Sequence, residues 1–188
     1  NIEFYIFKID GIGSEILSIL EEKAAKGVEV RLLYDSVGSR TLNKRVLKNF
    51  ISVGGKTGEF FPSWLKIINL NMNFRNHRKI VVIDNKIGFV GGFNVGDEYL
   101  GKNEKFGYWR DTHVKIEGDA VKDLNLRFLA DWRYATKEEV DIEQIVEEES
   151  IVCTGNKGIQ ILSSGPNLSD RFEIKLAYLK MIQKAKKY

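Results

Sequence analysis

Short apolar runs alternate with amphipathic stretches along the first part of the chain. Runs of β-branched and aromatic residues predict strands at residues 2–8, 28–35 and 56–61. Apolar residues at helical spacing predict helices at residues 13–27 and 42–53. For the first helix, Ser14 is the expected N-cap and Gly27 the expected end. This strand-helix-strand-helix-strand order predicts an α/β fold with parallel strand pairs.

The middle of the chain changes pattern. Residues 62–76 show no periodicity and predict a loop. The next two apolar runs, 77–84 and 86–92, meet at Asp84-Asn85, a pair typical of a tight hairpin. A further strand is predicted at residues 110–116. Residues 119–134 predict a long helix capped by Asp119, with an apolar face formed by Val121, Leu124, Phe128 and Trp132.

The last 52 residues of the 188-residue chain, about a quarter of it, begin with an acidic run. Residues 137–150 are acidic and predict a linker or a solvated helix. A strand at 158–165 and an amphipathic helix at 169–188 follow. We therefore expect a first domain at 1–136, an acidic linker, and at 151–188 the beginning of a second domain, a strand plus a helix. The strand and helix are expected to fill a vacant edge of the first sheet, within one molecule or between two.

Composition narrows the classes of function. The chain has 29 basic and 26 acidic residues, and a net charge of +3 is too small to predict a nucleic-acid partner. The single cysteine, Cys153, excludes an internal disulfide and is expected to be a small strand residue. Cysteine and histidine total three residues, none at ligand spacing, so neither a metal nor a cofactor is expected. No apolar run approaches the 18 residues typical of a membrane span.

The stretch "NHRKIVVIDNKIGFVGGFN", residues 76–94, carries the candidate chemistry. Residues two apart on a strand share a face, so His77 and Lys79 are expected to point the same way. A neutral imidazole can attack phosphorus, and a lysine ammonium can neutralise a phosphate oxygen. Asp84 lies seven residues beyond His77, on the opposite face of an unbroken strand. It is expected to cap the hairpin or hold neighbouring backbone.

Further candidates follow along the chain. Gly91 and Gly92 are expected to let the backbone bend and approach a ligand, and the amide of Asn94 can donate to the same phosphate. Asp111 is a candidate to hold the far ring nitrogen of the histidine. The second histidine, His113, shares a strand face with Asp111 and is expected to be a satisfied structural residue. Singly, each has an ordinary structural explanation; their fixed order together does not.

That order resembles the HxKxxxxDxxxxxxG(G/S)xN signature of the phospholipase D superfamily, matched at every defined position. Residues 2–135, with "FGYWRDTHVKIEGDAV", resemble the first catalytic half of bacterial cardiolipin synthases, and "IQILSSGPN" resembles the opening of the second. The resemblance implies a mixed β-sheet flanked by helices on both faces. It also implies a phosphatidyltransferase that moves a phosphatidyl group between phosphatidylglycerol molecules through a phosphohistidine, without a metal.

The resemblance assigns roles to five positions. His77 would be either the nucleophile or the general acid, Lys79 and Asn94 would bind phosphate beside Gly91 and Gly92, and Asp111 would orient the histidine. Asp84 would complete the motif. In this family two such motifs face each other, and no histidine follows His113 here. One copy is therefore expected to be half a site, to be completed by a second half or by a homodimer.

Alternatives remain open at this point. The same chemistry would suit a phospholipase D or a nuclease-type phosphodiesterase completed by homodimerisation, although the weak net charge disfavours nucleic acid. The chain would otherwise be an inactive half that only binds lipid phosphate. The expected partners are a phospholipid and, through a larger parent protein, the cytoplasmic face of a bacterial membrane. The basic C-terminal helix is expected to present a solvated lysine face, with contact to an anionic membrane as the alternative.

Overall fold

The computed structural model describes residues 1–60, 75–143, 145, 155–164 and 172–187. The chain divides into two compact units, Asn1–Cys153 and Thr154–Tyr188. In the first unit the elements are β1 (Ile2–Phe4), α1 (Gly11–Ala25), β2 (Arg31–Asp35), α2 (Lys48–Ser52), β3 (Lys56–Phe60), β4 (Lys79–Ile83), β5 (Ile87–Gly91), a 3-10 helix (Asp97–Leu100), β6 (His113–Glu117) and α3 (Ala120–Thr136). In the second unit α4 spans Glu173–Lys184.

The six strands of the first unit form one mixed sheet in the order β3-β2-β1-β4-β5-β6. Strands β1, β2 and β3 are parallel to one another, as the alternation of strands and helices predicts. Strands β4, β5 and β6 follow as an antiparallel meander, and β4 joins the two halves by pairing antiparallel with β1. The segment that begins with Lys79 therefore lies in the middle of the sheet, bordered by strands on both sides.

Helices cover both faces of this sheet, as expected. On one face, Leu17 and Ala24 of α1 and Phe50 of α2 pack against a buried apolar cluster that includes Leu32 and Tyr34. On the other face lies α3, whose predicted apolar side chains are all buried, namely Val121, Leu124, Phe128 and Trp132. The alternation of β2 side chains between these two layers gives each layer its own core.

The first helix begins earlier than Ser14, so the predicted N-cap is wrong. Asp10 is the N-cap and accepts a hydrogen bond from the Gly13 amide at 3.2 Å. The carboxylate of Asp97 accepts two more, from Gly11 at 2.9 Å and Ile12 at 3.0 Å. These three backbone N–H groups would otherwise lack a hydrogen-bond acceptor at the start of the helix. Two of the three acceptor contacts come from Asp97, which is distant in sequence.

The second predicted helix, 42–53, is reduced to the five residues of α2. The side chain of Asn43 accepts from the amides of Arg45 and Val46 at 3.0 and 3.2 Å, which stabilises a turn in place of a helical first turn. The predicted end of α1 is confirmed, since Gly27 has a positive φ of 84° just after the helix.

The predicted hairpin between β4 and β5 is confirmed. Asp84 and Asn85 have φ values of 50° and 51°, the left-handed pair that a tight two-residue turn requires. The long helix is also confirmed as α3, with Asp119 at its N-cap position, although the Asp119 side chain makes no cap hydrogen bond.

The predicted strand at 158–165 is wrong for the part that can be compared, because residues 155–164 contain no strand. Because residues 155–164 contain no strand, this part of the segment adds none to the six-stranded sheet within one molecule, and its exchange between two molecules stays a prediction. A short apolar run forms a strand only where a partner supplies a hydrogen-bonding ladder. The C-terminal helix is confirmed as α4. Cys153 and most of the predicted 62–76 loop lie outside the described residues.

In the described ranges, no helix has both the length and the apolar character needed to cross a bilayer.

We predict that a buried aromatic side chain of α3 and an exposed one outside both layers differ greatly in their tolerance to truncation. Phe128 is fully buried and stacks on Trp132 at a centroid distance of 6.0 Å, so Phe128→Ala should destabilise the protein by about 3–5 kcal/mol. Phe106 is 51% exposed, and Phe106→Ala should cost about 0.5 kcal/mol. Urea unfolding of both variants measures the difference. Equal losses would show that α3 does not carry a core of this kind.

Candidate active site

The site begins where the chain enters β4 and brings His77 and Lys79 into contact. The Lys79 ammonium donates to the His77 carbonyl at 2.8 Å and lies 2.9 Å from Nδ1 of the same residue. The His77 side chain is exposed, whereas Lys79 is only 3% exposed. The two side chains therefore point the same way, as the period-two spacing predicts, and the lysine lies on the protein side of the imidazole.

The ring of Tyr5 contacts both His77 and Lys79, and the sequence alone did not point to this residue. It follows β1 directly, and its ring centroid lies 4.6 Å from that of His77. The Lys79 ammonium lies 5.4 Å from the centroid of the same ring, which is cation–π distance. The feature of the sequence that could have identified Tyr5 is its place as an aromatic residue directly after β1, the strand that pairs with β4.

Burial and neighbouring charges shift the pKa values of both Lys79 and His77. Burial lowers the pKa of Lys79 to about 8, and the nearby charge of Asp111 opposes this shift. Burial and the charge of Lys79 lower the pKa of His77, while the charge of Asp35 raises it. At neutral pH the imidazole is therefore neutral and the lysine mostly charged. This is the combination needed for a nitrogen nucleophile beside a phosphate-binding cation.

Gly91 and Gly92 allow close packing against the chain entering β6. A Cβ on Gly92 would lie 1.8 Å from Oδ1 of Asp111, and one on Gly91 would lie 2.4 Å from the carbonyl oxygen of Thr112. The Gly92 amide donates to that carbonyl at 2.9 Å. Neither glycine has a positive φ, so their function here is to admit a neighbouring carboxylate and backbone rather than to make a left-handed bend.

Two carboxylates act electrostatically on the His77–Lys79 pair, Asp111 on the lysine and Asp35 on the histidine. Asp111 acts electrostatically on Lys79 and His113, and its Oδ1 accepts from the Thr112 amide at 2.8 Å. In the part of the chain that the structure describes, the carboxylate that raises the pKa of His77 is Asp35. The role of Asp111 as the group that orients the histidine stays a prediction.

Asp35 is a second residue that sequence reasoning missed. It ends β2 and is 1% exposed, and its Oδ1 accepts from the amides of Val37 and Gly38 at 2.9 and 3.0 Å. Its Oδ2 is buried without a hydrogen-bond partner among the described residues. Arg75 approaches Oδ1 to 3.9 Å. The aspartate at the end of an apolar strand was visible in the sequence, but nothing there connected it with His77.

Asn94 ties the Gly-Gly segment to the continuation of β1. Its Oδ1 accepts from the Ile6 amide at 3.0 Å, and its Nδ2 donates to the Tyr99 hydroxyl at 3.1 Å. An amide nitrogen carries two hydrogens, so a second one can still serve a ligand. Asp84, by contrast, lies in the hairpin turn at the far end of β4, about 16 Å along a strand from Lys79.

His113 begins β6 opposite Gly91, and its ring centroid lies 6.0 Å from that of Phe93. Its Nδ1 is buried without a hydrogen-bond partner among the described residues, so the expectation of a satisfied structural histidine is wrong. Burial lowers its pKa, and Asp111 opposes that shift. In the same described ranges, no three histidine, cysteine, aspartate or glutamate residues are grouped to hold a metal ion.

Taken together, an imidazole against a lysine at the start of a central strand, with a Gly-Gly-x-Asn segment ending the next strand, defines the class of phospholipase D-like domains. The profile of the family described as "Cardiolipin synthase, PLD-like domain" matches residues 1–132. The chain therefore belongs to this family of cardiolipin synthase PLD-like domains.

Curated relatives carry the similarity through the whole chain. The chain is 54% identical over 187 residues to cardiolipin synthase 2 of Staphylococcus epidermidis, covering 99% of the chain and 38% of that protein. It is 49% identical over 191 residues to cardiolipin synthase of Clostridium perfringens, covering 100% and 40%. The chain thus spans about two fifths of the length of these relatives. Among solved structures, NucT from Helicobacter pylori aligns with a TM-score of 0.43 at 17% identity, covering 70% of this chain and 75% of that one.

We predict that the affinity of the site for a phosphodiester falls as Lys79 loses its proton. Dimethyl phosphate keeps one negative charge across the range, and the charged fraction of a lysine with a pKa of about 8 drops roughly tenfold between pH 7 and 9. Affinity measured by NMR titration should fall by a similar factor.

Lys79→Met should bind weakly at both pH values and lose this dependence. Lys102→Met, which changes a side chain that is 60% exposed, should keep both the affinity and the slope. A wild-type affinity that does not change with pH would contradict the assignment of Lys79.

We also predict that Gly92 and Asp111 are energetically coupled. Gly92→Ala should cost about 1–3 kcal/mol, because the new methyl group would collide with the Asp111 carboxylate. In an Asp111→Ala background the same substitution should cost at least about 1 kcal/mol less. Chemical unfolding of the four proteins gives this coupling. Additive losses would show that the carboxylate does not lie over the glycine.

Proposed function

We propose that this chain supplies one half of a phosphatidyltransferase active site that makes cardiolipin from phosphatidylglycerol. The observation that carries the proposal is the contact between a neutral His77 imidazole and the buried Lys79 ammonium, at the start of a central strand. The relatives at 54% and 49% identity are named cardiolipin synthases, which supports the choice of substrate.

The reaction proceeds in two displacements at one phosphorus atom. A ring nitrogen of His77 attacks the phosphorus of a first phosphatidylglycerol, and the bond from phosphorus to the headgroup glycerol oxygen breaks. Glycerol leaves with a proton from a general acid, and the phosphatidyl group stays on the imidazole. A headgroup hydroxyl of a second phosphatidylglycerol then attacks the same phosphorus and gives its proton to the base form of that acid. Cardiolipin leaves and the imidazole is free again.

Several residues around His77 have parts in this scheme. Lys79 neutralises a non-bridging phosphate oxygen, and the second N–H of Asn94 donates to the phosphate. Gly91 and Gly92 keep the neighbouring backbone close to the site, and the Asp111 charge favours the protonated form of Lys79. Asp84 supports the scheme at a distance, through the turn that sets the register of β4 and β5.

A second motif completes the site in this proposal. The chain contains two histidines, and only His77 stands in the full HxKxxxxD motif, because the triplet that begins at His113 has Ala120 in place of the aspartate. The general acid for the leaving glycerol therefore comes from another phospholipase D-like half, in a longer chain or in a second copy. Loss of a general acid costs about 10²–10⁴ in rate, so the chain alone is expected to be weakly active at most. The substrate is a membrane lipid, which assigns the site to the surface of a bacterial membrane.

The test is a chimera in which this chain replaces the matching segment of Staphylococcus aureus cardiolipin synthase, a relative 53% identical over 188 residues. Vesicles of phosphatidylglycerol should yield cardiolipin and glycerol, measured by mass spectrometry. His77→Asn in the chimera should lower the rate by about 10⁴ or more, because the nucleophile is lost.

His113→Asn is the matched control, since it makes the same change at the other histidine. It should retain transfer within about threefold, because no step uses that side chain. Cardiolipin formation that survives His77→Asn unchanged would refute the assignment. Release of phosphatidic acid without cardiolipin would show that the site hydrolyses its substrate rather than transferring it.

A further inference from the structure

A buried chain of polar groups lies behind the active-site segment, on the face of the sheet that α3 covers. It connects Glu3 of β1, residues Asn76 and Arg78, and Asp131 of α3. None of these residues belongs to the motif, and the chemistry described above does not use them. Glu3, Asn76 and Asp131 are 1%, 5% and 0% exposed.

The first link holds the residue before His77. The side-chain amide of Asn76 donates to Oε1 of Glu3, which lies in the middle of β1 opposite Leu33 and Ile80. The oxygen of the Asn76 amide in turn accepts from the backbone N–H of Arg78 at 3.2 Å. Asn76 thereby closes a small loop around the backbone of His77.

The second link holds the residue after His77. The Arg78 guanidinium donates to Oδ2 of Asp131 at 2.9 Å. Asp131 also accepts from Arg127, at 3.2 Å from Nε and 2.5 Å from the terminal nitrogen. A fully buried aspartate thus joins the segment to the long helix through charge-assisted hydrogen bonds.

Alternation along this extended segment explains the arrangement. Asn76 and Arg78 turn to the interior and to α3, while His77 and Lys79 turn to the site. The imidazole itself is exposed and contacts only Tyr5 and Lys79 among the interactions described above. Its position is therefore set largely by how firmly its two neighbours are held.

We propose that Glu3 and Asp131 are positioning residues for His77, which hold the two neighbours of the histidine from behind the sheet. The proposal deepens the function proposed above and rests on it for the importance of His77. It predicts that loosening either link displaces the imidazole while the rest of the sheet stays in place.

The composition of the network argues against simple packing. Oε2 of Glu3 is buried without a hydrogen-bond partner among the described residues, and such an atom lowers stability. An apolar side chain in the centre of β1 would avoid that cost. The hydrogen bond that Glu3 accepts from Asn76 gives a carboxyl at this position a specific role.

Glu3 is in its neutral form when it does this at neutral pH. Burial and the charge of Asp131 raise the pKa of Glu3 to about 8, against the opposing effects of Asn76, Arg78 and Arg127. Glutamine is therefore a close mimic of the native side chain, and alanine removes the acceptor. This gives a matched pair of variants, Glu3→Gln and Glu3→Ala.

The test uses the imidazole signals of the intact chain, which has only two histidines. In ¹H–¹³C correlation spectra at pH 7, the His77 signals should shift or broaden in Glu3→Ala and return close to their wild-type positions in Glu3→Gln. The His113 signals should stay in place in both variants. Unchanged His77 signals in folded Glu3→Ala would overturn the proposal. The readout does not require transfer activity, so it can fail while the proposed function stands, and the reverse.

Asn76→Ala is the second variant, in case Glu3→Ala does not fold. It cuts the link between Glu3 and Arg78 without removing a charge, and it should displace the His77 signals alone. Displacement of both histidines to the same extent, or of neither, would overturn the proposal.

A pH profile separates Glu3 from the neighbouring Lys79. The folded protein holds the Glu3 proton up to about pH 8, whereas the unfolded chain loses it near 4.5. The stability of the wild type relative to Glu3→Gln should therefore fall as pH rises from 5 to 8. The N-terminal amine of Asn1, whose pKa is lowered to about 6 by burial and by the charge of Arg31, acts in the opposite direction within this window and is common to both proteins. Lys79 acts in the opposite direction and above this window, because its folded pKa of about 8 lies below the unfolded 10.5. Identical profiles for wild type and Glu3→Gln would contradict a neutral Glu3 at neutral pH, and Glu3 would then accept the Asn76 hydrogen bond as a carboxylate.

Discussion

The contact on which the rest of this domain depends is the buried Lys79 ammonium against the His77 imidazole. A lysine that is 3% exposed is costly to keep charged, and its pKa falls to about 8. Burial, and after it the charge of Lys79, lowers the pKa of the adjacent His77 imidazole, and the Tyr5 ring contacts both groups. The pair therefore exists only in a place where the fold supplies a compensating carboxylate and an exact register between strands. A central antiparallel junction between β1 and β4 supplies that register.

The side chains of the extended segment 76–79 alternate between two directions, and each direction has a different role. His77 and Lys79 turn towards the candidate site, and Asn76 and Arg78 turn towards α3 and fix the segment in the interior. The Gly-Gly pair follows the same logic on the other side of the site, because the absent side chains admit the Asp111 carboxylate. At His77 the imidazole is exposed, while Glu3, Asn76 and Asp131, which hold its neighbours, are buried. His77 lies two residues before β4, and the buried contacts of its neighbours hold this non-strand segment in place.

Local patterns predicted a good part of this structure. Asp84-Asn85 marked the hairpin because few other residue pairs tolerate two left-handed conformations in a row. The alternation of strand residues placed His77 and Lys79 together, and the apolar face of α3 was correct residue by residue. What the sequence could not show were contacts between residues far apart in the chain. Asp97 caps a helix 86 positions earlier, Glu3 meets Asn76 across 73, and Arg78 meets Asp131 across 53. Tyr5 and Asp35 were missed for the same reason, since only the folded sheet brings them to His77.

The central claim is that the His77 nitrogen itself takes up the phosphatidyl group. The most direct measurement is peptide mapping by mass spectrometry of the Staphylococcus aureus chimera, quenched in alkali during turnover of phosphatidylglycerol. A phosphorus–nitrogen bond of this kind survives alkali and is lost in acid, which identifies the adduct. Alkali also cleaves the acyl esters of the lipid, so we expect the phosphatidyl group, or the glycerophosphoryl group that remains after deacylation, on the peptide that contains His77. An adduct found only on the motif histidine of the other half would contradict this account, and would make His77 the proton donor to the leaving glycerol.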